Sequence, residues 1–253
     1  MGTQTAPISM PSPILFISDL HLSPEDPATT AAFHAFLQGP AMHASALYIL
    51  GDLFEFWIGD DSLDEAFNAE IVAAIAQLAK QGVNIFFVAG NRDFLPGQRF
   101  ASAAGLTLLA DPSLINLNGQ AVLISHGDAL CTDDLAYQRF RRIVRHPVVQ
   151  TLFLALPRRW RQGQVEKLRQ RSKASNQMKR SEVMDVNAKA VEQLMAQHHA
   201  KILIHGHTHR PAMHILPQGQ RWVIPDWYQG QGGYLKLKNN NISMHQLDGS
   251  PFS

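Results

Sequence analysis

The sequence is poor in cysteine, and Cys131 is its single thiol among 253 residues. One cysteine cannot form an intrachain disulfide, and such usage is typical of a reducing compartment. Cys131 follows His126 by five residues, a position that would also suit a nucleophile. We favour the simpler interpretation, a small apolar residue packed near a functional site.

Long apolar runs are also missing. No segment approaches the roughly 18 to 20 consecutive apolar residues of a transmembrane helix, so we expect no helix that crosses a bilayer. Residues 1–13 contain three prolines and no charged side chain. They therefore lack the charged and apolar regions of a signal peptide, and we expect a disordered lead-in to the first strand.

An excess of one charge sign is absent from the chain as a whole, because 22 basic residues face 21 acidic ones. A net charge of +1 by itself predicts no polyanionic partner. The distribution is uneven, however, since residues 139–180 contain thirteen Lys or Arg residues and one acid, Glu166. Without this segment the chain would be a distinctly acidic scaffold.

Five short motifs rich in Asp, His and Asn are present, and each directly follows a run typical of a β-strand. The runs are 14–17, 47–50, 85–88, 122–124 and 202–204. The motifs contain, in chain order, Asp19, His21, Asp52, Asn91, His126, His207 and His209. In an open α/β sheet, ligands bind beyond the carboxyl ends of the strands. We therefore expect these seven side chains to converge on one edge.

Helical patterns fill the gaps between the strands, which predicts an α/β fold with helices on both faces of the sheet. The predicted helices are 29–38, 64–81, 96–104 and 181–197. Asn118-Gly119 predicts a hairpin, and a second hairpin is predicted around 239–241, so antiparallel strands accompany the parallel ones. We interpret 132–180 as an inserted helical lid. Residues 14–131 and 181–247 are then the core of a single domain.

The seven side chains offer hard oxygen ligands and imidazoles, without a thiolate. Such a set suits Mn²⁺, Fe²⁺ or Zn²⁺, whereas several histidines argue against Mg²⁺ or Ca²⁺. Any one of these residues alone would as readily cap a helix or lie in a turn. Seven in order at strand ends favour a binuclear metal centre, and we expect two Mn²⁺ ions per chain.

The order of the motifs resembles the calcineurin-like metallophosphoesterase superfamily, and the match spans Asp19 to His209. The resemblance implies mixed β-sheets layered with helices in an αββα sandwich. It also implies two ligand sets that share Asp52 as a bridge: Asp19, His21, Asp52 and His209 in one, and Asp52, Asn91, His126 and His207 in the other. Two such ions can activate a water molecule and stabilise an in-line displacement at phosphorus.

Arg92 departs from the wider superfamily, which usually has a His after the Asn of the third motif. A His there can act as a general acid for an alkoxide, whereas a fixed guanidinium suits a pyrophosphate, whose leaving oxygen is already stable. Arg92 could instead pair with Asp93 or a surface carboxylate. Arg92, residues 51–61 and the basic segment make the chain similar to the branch that cleaves UDP-2,3-diacylglucosamine in Gram-negative lipid A biosynthesis.

That resemblance implies hydrolysis of the pyrophosphate bond of UDP-2,3-diacylglucosamine at the phosphorus next to uridine. The products would be UMP and 2,3-diacylglucosamine 1-phosphate. The catalytic residues that it implies are Asn91, Arg92, His126 and His207. The implied substrate-binding residues are Asn91, Arg92, His126, Asp134, Ser172, Asn176, Lys179 and His207, and Tyr137 and Arg169 are further candidates.

The predicted lid combines an apolar face at 148–156 with arginines, and Arg169, Ser172, Asn176 and Lys179 share one helix face. Nucleic acid is the obvious alternative partner, but the basic residues of the lid are mingled with an apolar face more than with spaced aromatic residues that stack bases. We therefore expect a nucleotide-activated glycolipid partner, no nucleic acid, and a cytoplasmic protein attached peripherally to the inner membrane. Two alternatives stay open: a nucleotide or nucleic-acid phosphodiesterase on the same scaffold, and a non-catalytic scaffold.

Overall fold

A computed structural model describes residues 13–117, 119–178 and 185–252, with the backbone alone for 169–178. Its strands are β1 (Ile14–Ile17), β2 (Ala46–Ile49), β3 (Asn84–Val88), β4 (Thr107–Leu109), β5 (Ser113–Leu117), β6 (Gln120–Ser125), β7 (Ile202–His205), β8 (Ala212–Leu216), β9 (Gly219–Val223), β10 (Gly233–Lys238) and β11 (Asn241–Gln246). Its α-helices are α1 (Pro27–Gln38), α2 (Ala66–Lys80), α3 (Gln98–Ala104), α4 (Leu135–Val144), α5 (Pro147–Leu154), α6 (Arg158–Met178) and α7 (Ala188–Gln197).

The strands form two mixed sheets. The first has the order β11-β10-β1-β2-β3-β4, with β1 to β4 parallel and β10 antiparallel to β1. The second has the order β5-β6-β7-β9-β8, with β6, β7 and β9 parallel. Parallel neighbours end at the same edge, so the loops after β1, β2 and β3 lie side by side, as do those after β6 and β7.

Side chains alternate between the two faces of β1 and so build two cores. Leu15 and Ile17 pack with Phe33 of α1 and Ile71 of α2 on the helical face. Phe16 faces the other way, into a cluster that includes Val122, Ile124, Ile202 and Ile204 of the second sheet. A third cluster joins the far side of the second sheet to Val191 and Met195 of α7. Helix, sheet, sheet and helix form four layers, which confirms the predicted αββα sandwich.

Most predicted elements are present, with three differences. The two-stranded unit β8–β9 and the short strand β4 were not predicted, because Gln220 and Arg221 interrupt the apolar pattern of β9. Helix α7 begins at Ala188, later than residue 181, because the Asn187 side chain accepts a hydrogen bond from Ala190 N and caps the helix there. Asn118 lies outside the described residues, but Leu117 pairs with Gln120, as the predicted hairpin requires.

The predicted lid, 132–180, contains all of α4, α5 and α6. Phe153 packs against the first core. Arg161 is 1% exposed, and its guanidinium donates to Ile58 O and the Asp61 carboxylate. The lid is therefore fixed to the loop that follows β2. No helix in the described ranges is long and apolar enough to cross a membrane.

Candidate metal centre

The loops that carry the seven predicted ligands meet at one edge of both sheets. Asp19, after β1, accepts a hydrogen bond from His207 N, after β7, at 2.7 Å. His126, after β6, donates from Nδ1 to the carbonyl oxygen of Leu50, after β2, at 2.9 Å. These contacts join the first sheet to the second, so residues that are far apart in the sequence become neighbours.

Five of the seven predicted ligands have a positive φ. They are Asp19 (57°), His21 (50°), Asp52 (52°), His207 (69°) and His209 (52°). Residues with a Cβ rarely adopt this region, which costs on the order of 1–3 kcal/mol each and persists mainly at functional sites. Tight left-handed turns directly after the strands therefore aim these side chains inward.

Glycines in the same motifs permit the close approach of the loops. A Cβ on Gly90 would lie 2.1 Å from Asp52 Oδ1, and a Cβ on Gly206 would lie 2.2 Å from Asp19 Oδ2. Neither contact is sterically possible without movement of a buried carboxylate. The glycine that precedes Asn91 and the one that precedes His207 are thus required by packing.

The first ligand group consists of Asp19, His21, Asp52 and His209. The Nε2 atoms of His21 and His209 lie 3.5 Å apart, and their Nδ1 atoms face Glu55 Oε2 at 3.2 Å and Asp226 Oδ2 at 3.0 Å. A carboxylate at Nδ1 fixes the tautomer and aims the Nε2 lone pair at a metal. Asp19 Oδ1 is buried, and its nearest candidate donor is His209 Nε2 at 3.5 Å, too distant for a good hydrogen bond.

The electrostatics of this group suit a bound cation. Burial lowers the pKa of His209, but the carboxylates of Asp19 and Asp226 outweigh it and raise the pKa to about 10. Burial likewise raises the pKa of Asp19, whereas His209, His126 and His21 lower it below its ordinary value. Two imidazoles that present Nε2 atoms to each other at 3.5 Å cannot both carry protons without repulsion. A metal ion between them removes that conflict, so the residues fit a metal.

The second ligand group consists of Asp52, Asn91, His126 and His207. His126 Nε2 faces Asn91 Oδ1 at 2.9 Å and Asp52 Oδ1 at 3.7 Å. Burial lowers the pKa of His126, but the carboxylates of Asp52, Asp19 and Asp128 outweigh it and raise the pKa to about 9. Nδ1 donates to Leu50 O, so Nε2 directs positive charge at oxygen acceptors, the position in which a cation would replace its proton. Burial lowers the pKa of His207 to about 4, with His126 contributing, so this imidazole is neutral and able to bind metal.

Asp52 lies between the two groups. Its Oδ2 is 3.9 Å from His21 Nε2, and its Oδ1 is 3.7 Å from His126 Nε2. Asp19 is also close to both, since its ligand atoms lie within 4.8 Å of His21 and His209 on one side and of Asp52 and His126 on the other. The structure thus brings all seven predicted side chains together, with Asp52 and Asp19 both lying between the two groups.

Asp93 organises the loops around Asp52 and Asn91. Its Oδ1 accepts hydrogen bonds from the backbone N–H groups of Asp52 and Gly90, both at 3.0 Å. Its Oδ2 accepts from Leu53 N at 2.7 Å and Phe54 N at 3.2 Å. One buried carboxylate therefore ties two ligand loops together, which leaves it unavailable as the partner of Arg92.

Asp128 connects the centre to the lid. Its Oδ2 accepts from Tyr137 Oη at 2.6 Å and from Arg141 Nε at 2.8 Å. Arg145 Nη2 donates to Gly90 O at 2.8 Å, directly before Asn91. Burial raises the pKa of Asp128, but the positive charges of His126, Arg145 and Arg141 outweigh burial and hold the pKa below its ordinary value. The carboxylate therefore stays charged. Helix α4 is therefore held over the second ligand group.

The described substrate candidates have defined positions. The Arg92 guanidinium lies beside the centre, with Nη1 3.8 Å from Glu55 Oε1. The Tyr137 ring stacks on His207 at 6.2 Å between centroids. The Asp134 side chain accepts from Tyr137 N at 3.1 Å and so caps α4. Lys179 and the side chains of Arg169, Ser172 and Asn176 lie outside the described residues.

Sequence reasoning missed Glu55, Asp226, Asp93 and Asp128 as supports of the centre. Asp93 and Asp128 each lie two residues after a predicted ligand, inside the recognised motifs. That short spacing could have indicated that they lie next to the centre. Glu55 similarly follows Asp52 by three residues. Asp226 has no such signal, because only the packing of the loop after β9 brings it to His209.

Comparison with known proteins agrees with this geometry. The sequence profile of the calcineurin-like phosphoesterase family matches residues 12–211. A protein of Serratia proteamaculans named UDP-2,3-diacylglucosamine hydrolase is 50% identical over 92% of this chain and 98% of its own length. Proteins with the same name from Aromatoleum aromaticum and Klebsiella pneumoniae are 53% and 50% identical, over 85% and 91% of this chain and 89% and 97% of their own lengths.

Proposed function

The chain belongs to the calcineurin-like phosphoesterase family, and from that premise we propose that it hydrolyses the pyrophosphate bond of UDP-2,3-diacylglucosamine. The products are UMP and 2,3-diacylglucosamine 1-phosphate, as required in lipid A biosynthesis. The observation that supports hydrolysis at phosphorus is the convergence of seven carboxylate, amide and imidazole side chains beside Arg92. The choice of substrate is supported by relatives that share the name UDP-2,3-diacylglucosamine hydrolase and are 50% and 53% identical to this chain over most of its length.

We further propose that the first and second ligand groups each hold one Mn²⁺ ion, with Asp52 between them. Two bound ions would activate water and stabilise negative charge on the reacting phosphoryl group. Metal analysis of the purified, Mn²⁺-loaded protein should give two ions per chain. Asp52→Ala should lose both, because its two oxygens face both groups. Full metal content in that variant would contradict the assignment.

The residues of the chain itself position the substrate in this proposal. Arg92 contacts the pyrophosphate oxygens as charge shifts to the leaving phosphate, and Glu55 holds its guanidinium. Asn91, His126 and His207 lie against the same phosphoryl group. Asp134 and Tyr137 place α4 next to His207, and we assign Arg169, Ser172, Asn176 and Lys179 of the lid to the sugar phosphate.

The lid is proposed to hold the acyl chains and to rest on the cytoplasmic face of the inner membrane. Ten of the fifteen exposed large apolar side chains in the described ranges lie between Leu135 and Leu168. Leu152 is 65% exposed and Ile143 is 59% exposed, an arrangement that suits lipid better than water. Arg141, Arg145, Arg158 and Arg161 pair with scaffold carboxylates, so in this proposal the phosphate contacts come from other basic residues of the lid.

Binding to vesicles tests the membrane part. Vesicles of anionic phospholipid should retain the protein in a flotation assay, and Leu152→Asp should reduce that retention several-fold. The matched control is Ile215→Asp, since Ile215 is 82% exposed on β8, outside the lid. Equal losses in both variants would contradict a membrane-facing lid.

Substrate comparison tests the reaction. The Mn²⁺-loaded protein should hydrolyse UDP-2,3-diacylglucosamine with a kcat/KM several orders of magnitude above that for UDP-N-acetylglucosamine, which has no long acyl chains. Burial of each methylene contributes about 0.8 kcal/mol, so long chains supply much of the binding. Similar kcat/KM values for the two substrates would instead indicate that the protein is a nucleotide phosphodiesterase.

A further inference from the structure

A cavity of about 370 Å³ adjoins the first ligand group. Its walls include His21, His209 and Arg92. The other lining residues are Leu20, Ser23, Glu25, Asp26, Glu55, Asp226, Trp227 and Tyr228. This volume lies within the range of roughly 300–1,000 Å³ typical of sites for small molecules. None of its lining residues belongs to the lid. The cavity therefore offers room for a part of the substrate that the lid does not hold.

The walls of the cavity combine apolar surface with charged groups that are mostly acidic. Glu25, Asp26, Glu55 and Asp226 contribute carboxylates, and Arg92 is the lining guanidinium. Asp226 uses Oδ2 to hold His209, but a carboxylate has about four acceptor positions and can accept more than one hydrogen bond. Four carboxylates disfavour a further phosphate. They suit a neutral group with several hydroxyl donors.

The rim carries an exposed aromatic ring. Tyr228 is 66% exposed, next to Trp227, which is 3% exposed. The backbone of Tyr228 is fixed by reciprocal hydrogen bonds with Gln231 at 2.9 and 3.0 Å. A ring held on a rigid turn offers a stacking surface for a planar heterocycle at little entropic cost.

We propose that this cavity binds the nucleoside of the nucleotide half of the substrate. The ribose hydroxyls donate to Glu25 and Asp226, and the base stacks on Tyr228. This assignment rests on the proposed function, in which the reacting phosphorus is the one next to uridine and lies at the metal centre. The nucleoside is then beside the first ligand group, while the diacyl sugar extends past Tyr137 and His207 to the apolar lid.

Calorimetric titration of the full-length, Mn²⁺-loaded protein tests the proposal, with UMP, ribose 5-phosphate and inorganic phosphate as the probes. Wild-type protein should bind UMP more tightly than either of the others. Tyr228→Ala should weaken UMP binding by about 10-fold, within the range for base–aromatic stacking, and leave ribose 5-phosphate unchanged. Tyr228→Phe keeps the ring and should bind UMP as wild type does. Glu25→Ala should weaken UMP and ribose 5-phosphate equally.

Trp160→Ala is the matched control, because Trp160 is a 49% exposed aromatic residue of the lid. It should leave UMP binding unchanged, and all variants should retain the wild-type metal content. The assignment is overturned if wild-type protein binds UMP no more tightly than phosphate, if Tyr228→Ala binds UMP normally, or if Trp160→Ala causes the larger loss. Failure of the proposed function is a separate result, namely no turnover of UDP-2,3-diacylglucosamine by protein that binds UMP as expected.

Discussion

At the scale of single residues, the centre depends on side chains that do not themselves bind metal. Glu55 and Asp226 each place a carboxylate oxygen beside the Nδ1 atom of a candidate ligand histidine, at 3.2 and 3.0 Å, and Glu55 also faces Arg92. Such carboxylate–histidine pairs orient the ring and increase its basicity. Glu55 thus links the metal centre to the cation proposed to stabilise the leaving phosphate.

Replacement of Glu55 should weaken metal binding without unfolding the chain. We expect Glu55→Ala to lower Mn²⁺ affinity by about 10- to 100-fold, the usual effect of losing such a partner. Metal titration with a fluorescent chelator as competitor measures this loss. Glu70→Ala is the control, since Glu70 pairs with His34 at 2.9 Å on the surface, away from the centre. Unchanged affinity in Glu55→Ala would show that His21 does not need its partner.

Cys131 should be chemically inert in the folded protein. Burial raises the pKa of the Cys131 thiol to about 12, and four neighbouring aspartates add to this effect. The folded-state pKa is raised, so the thiol stays neutral through pH 8.5 and only the unfolded chain forms thiolate there. Iodoacetamide at pH 8.5 should label unfolded protein rapidly and native protein slowly, as measured by intact mass. Fast labelling of native protein would contradict this prediction and favour the alternative that Cys131 is a nucleophile.

The arginines of the lid show where residue patterns mislead. The sequence places Arg159 and Arg161 alike beside the apolar face of the predicted lid, yet Arg161 is 1% exposed and Arg159 is exposed. No local pattern distinguishes them, because burial of Arg161 depends on Ile58 and Asp61, about 100 residues earlier. The ligand residues were predictable because each motif and its strand are adjacent in the sequence.

At the scale of elements, tight loops hold the ligands and helix packing holds the lid. The glycines before Asn91 and His207 let loops from different strands approach within the space of one methyl group. On the lid side, Arg161 anchors the start of α6, and Asp128 anchors α4. Each element is thus positioned by a small number of contacts that substitutions can test.

Gly90→Ala should disrupt the metal centre. The added Cβ would lie 2.1 Å from Asp52 Oδ1, so Asp52 must move or the loop must open. We expect metal content to fall below one ion per chain and the thermal midpoint to decrease. Gly163→Ala in α6 meets no atom within 4 Å, and it should retain metal and stabilise the helix by about 0.5–1 kcal/mol. Normal metal content in Gly90→Ala would contradict the packing argument.

Arg161→Ala should loosen the lid. The change removes hydrogen bonds from a buried guanidinium to Asp61, Ile58 and Leu156, each worth about 1.5–3 kcal/mol when a charge is involved. Hydrogen exchange should rise in peptides from 147–168 and stay constant in β1 and β2. Arg159→Ala, at an exposed position, should show no such change. Equal protection in both variants would mean that other contacts hold the lid.

At the scale of the whole molecule, the four layers could be predicted from the sequence. The strand order of the second sheet could not. Strand runs and ligand motifs indicated the parallel halves of both sheets. The order of the second sheet depends on β9, which pairs with β7 and carries Gln220 and Arg221, so its strand pattern is weak. Likewise Asp226 reaches His209 only after β9 places its loop there. Long-range pairing supplies what local sequence lacks.

The central claim is that the converged side chains direct water to the phosphorus next to uridine. The Mn²⁺-loaded protein should be given UDP-2,3-diacylglucosamine in ¹⁸O-labelled water, and both products analysed by mass spectrometry. The account predicts one ¹⁸O atom in UMP and none in 2,3-diacylglucosamine 1-phosphate. Label in the lipid phosphate, or no turnover by protein that holds two metal ions, would contradict it.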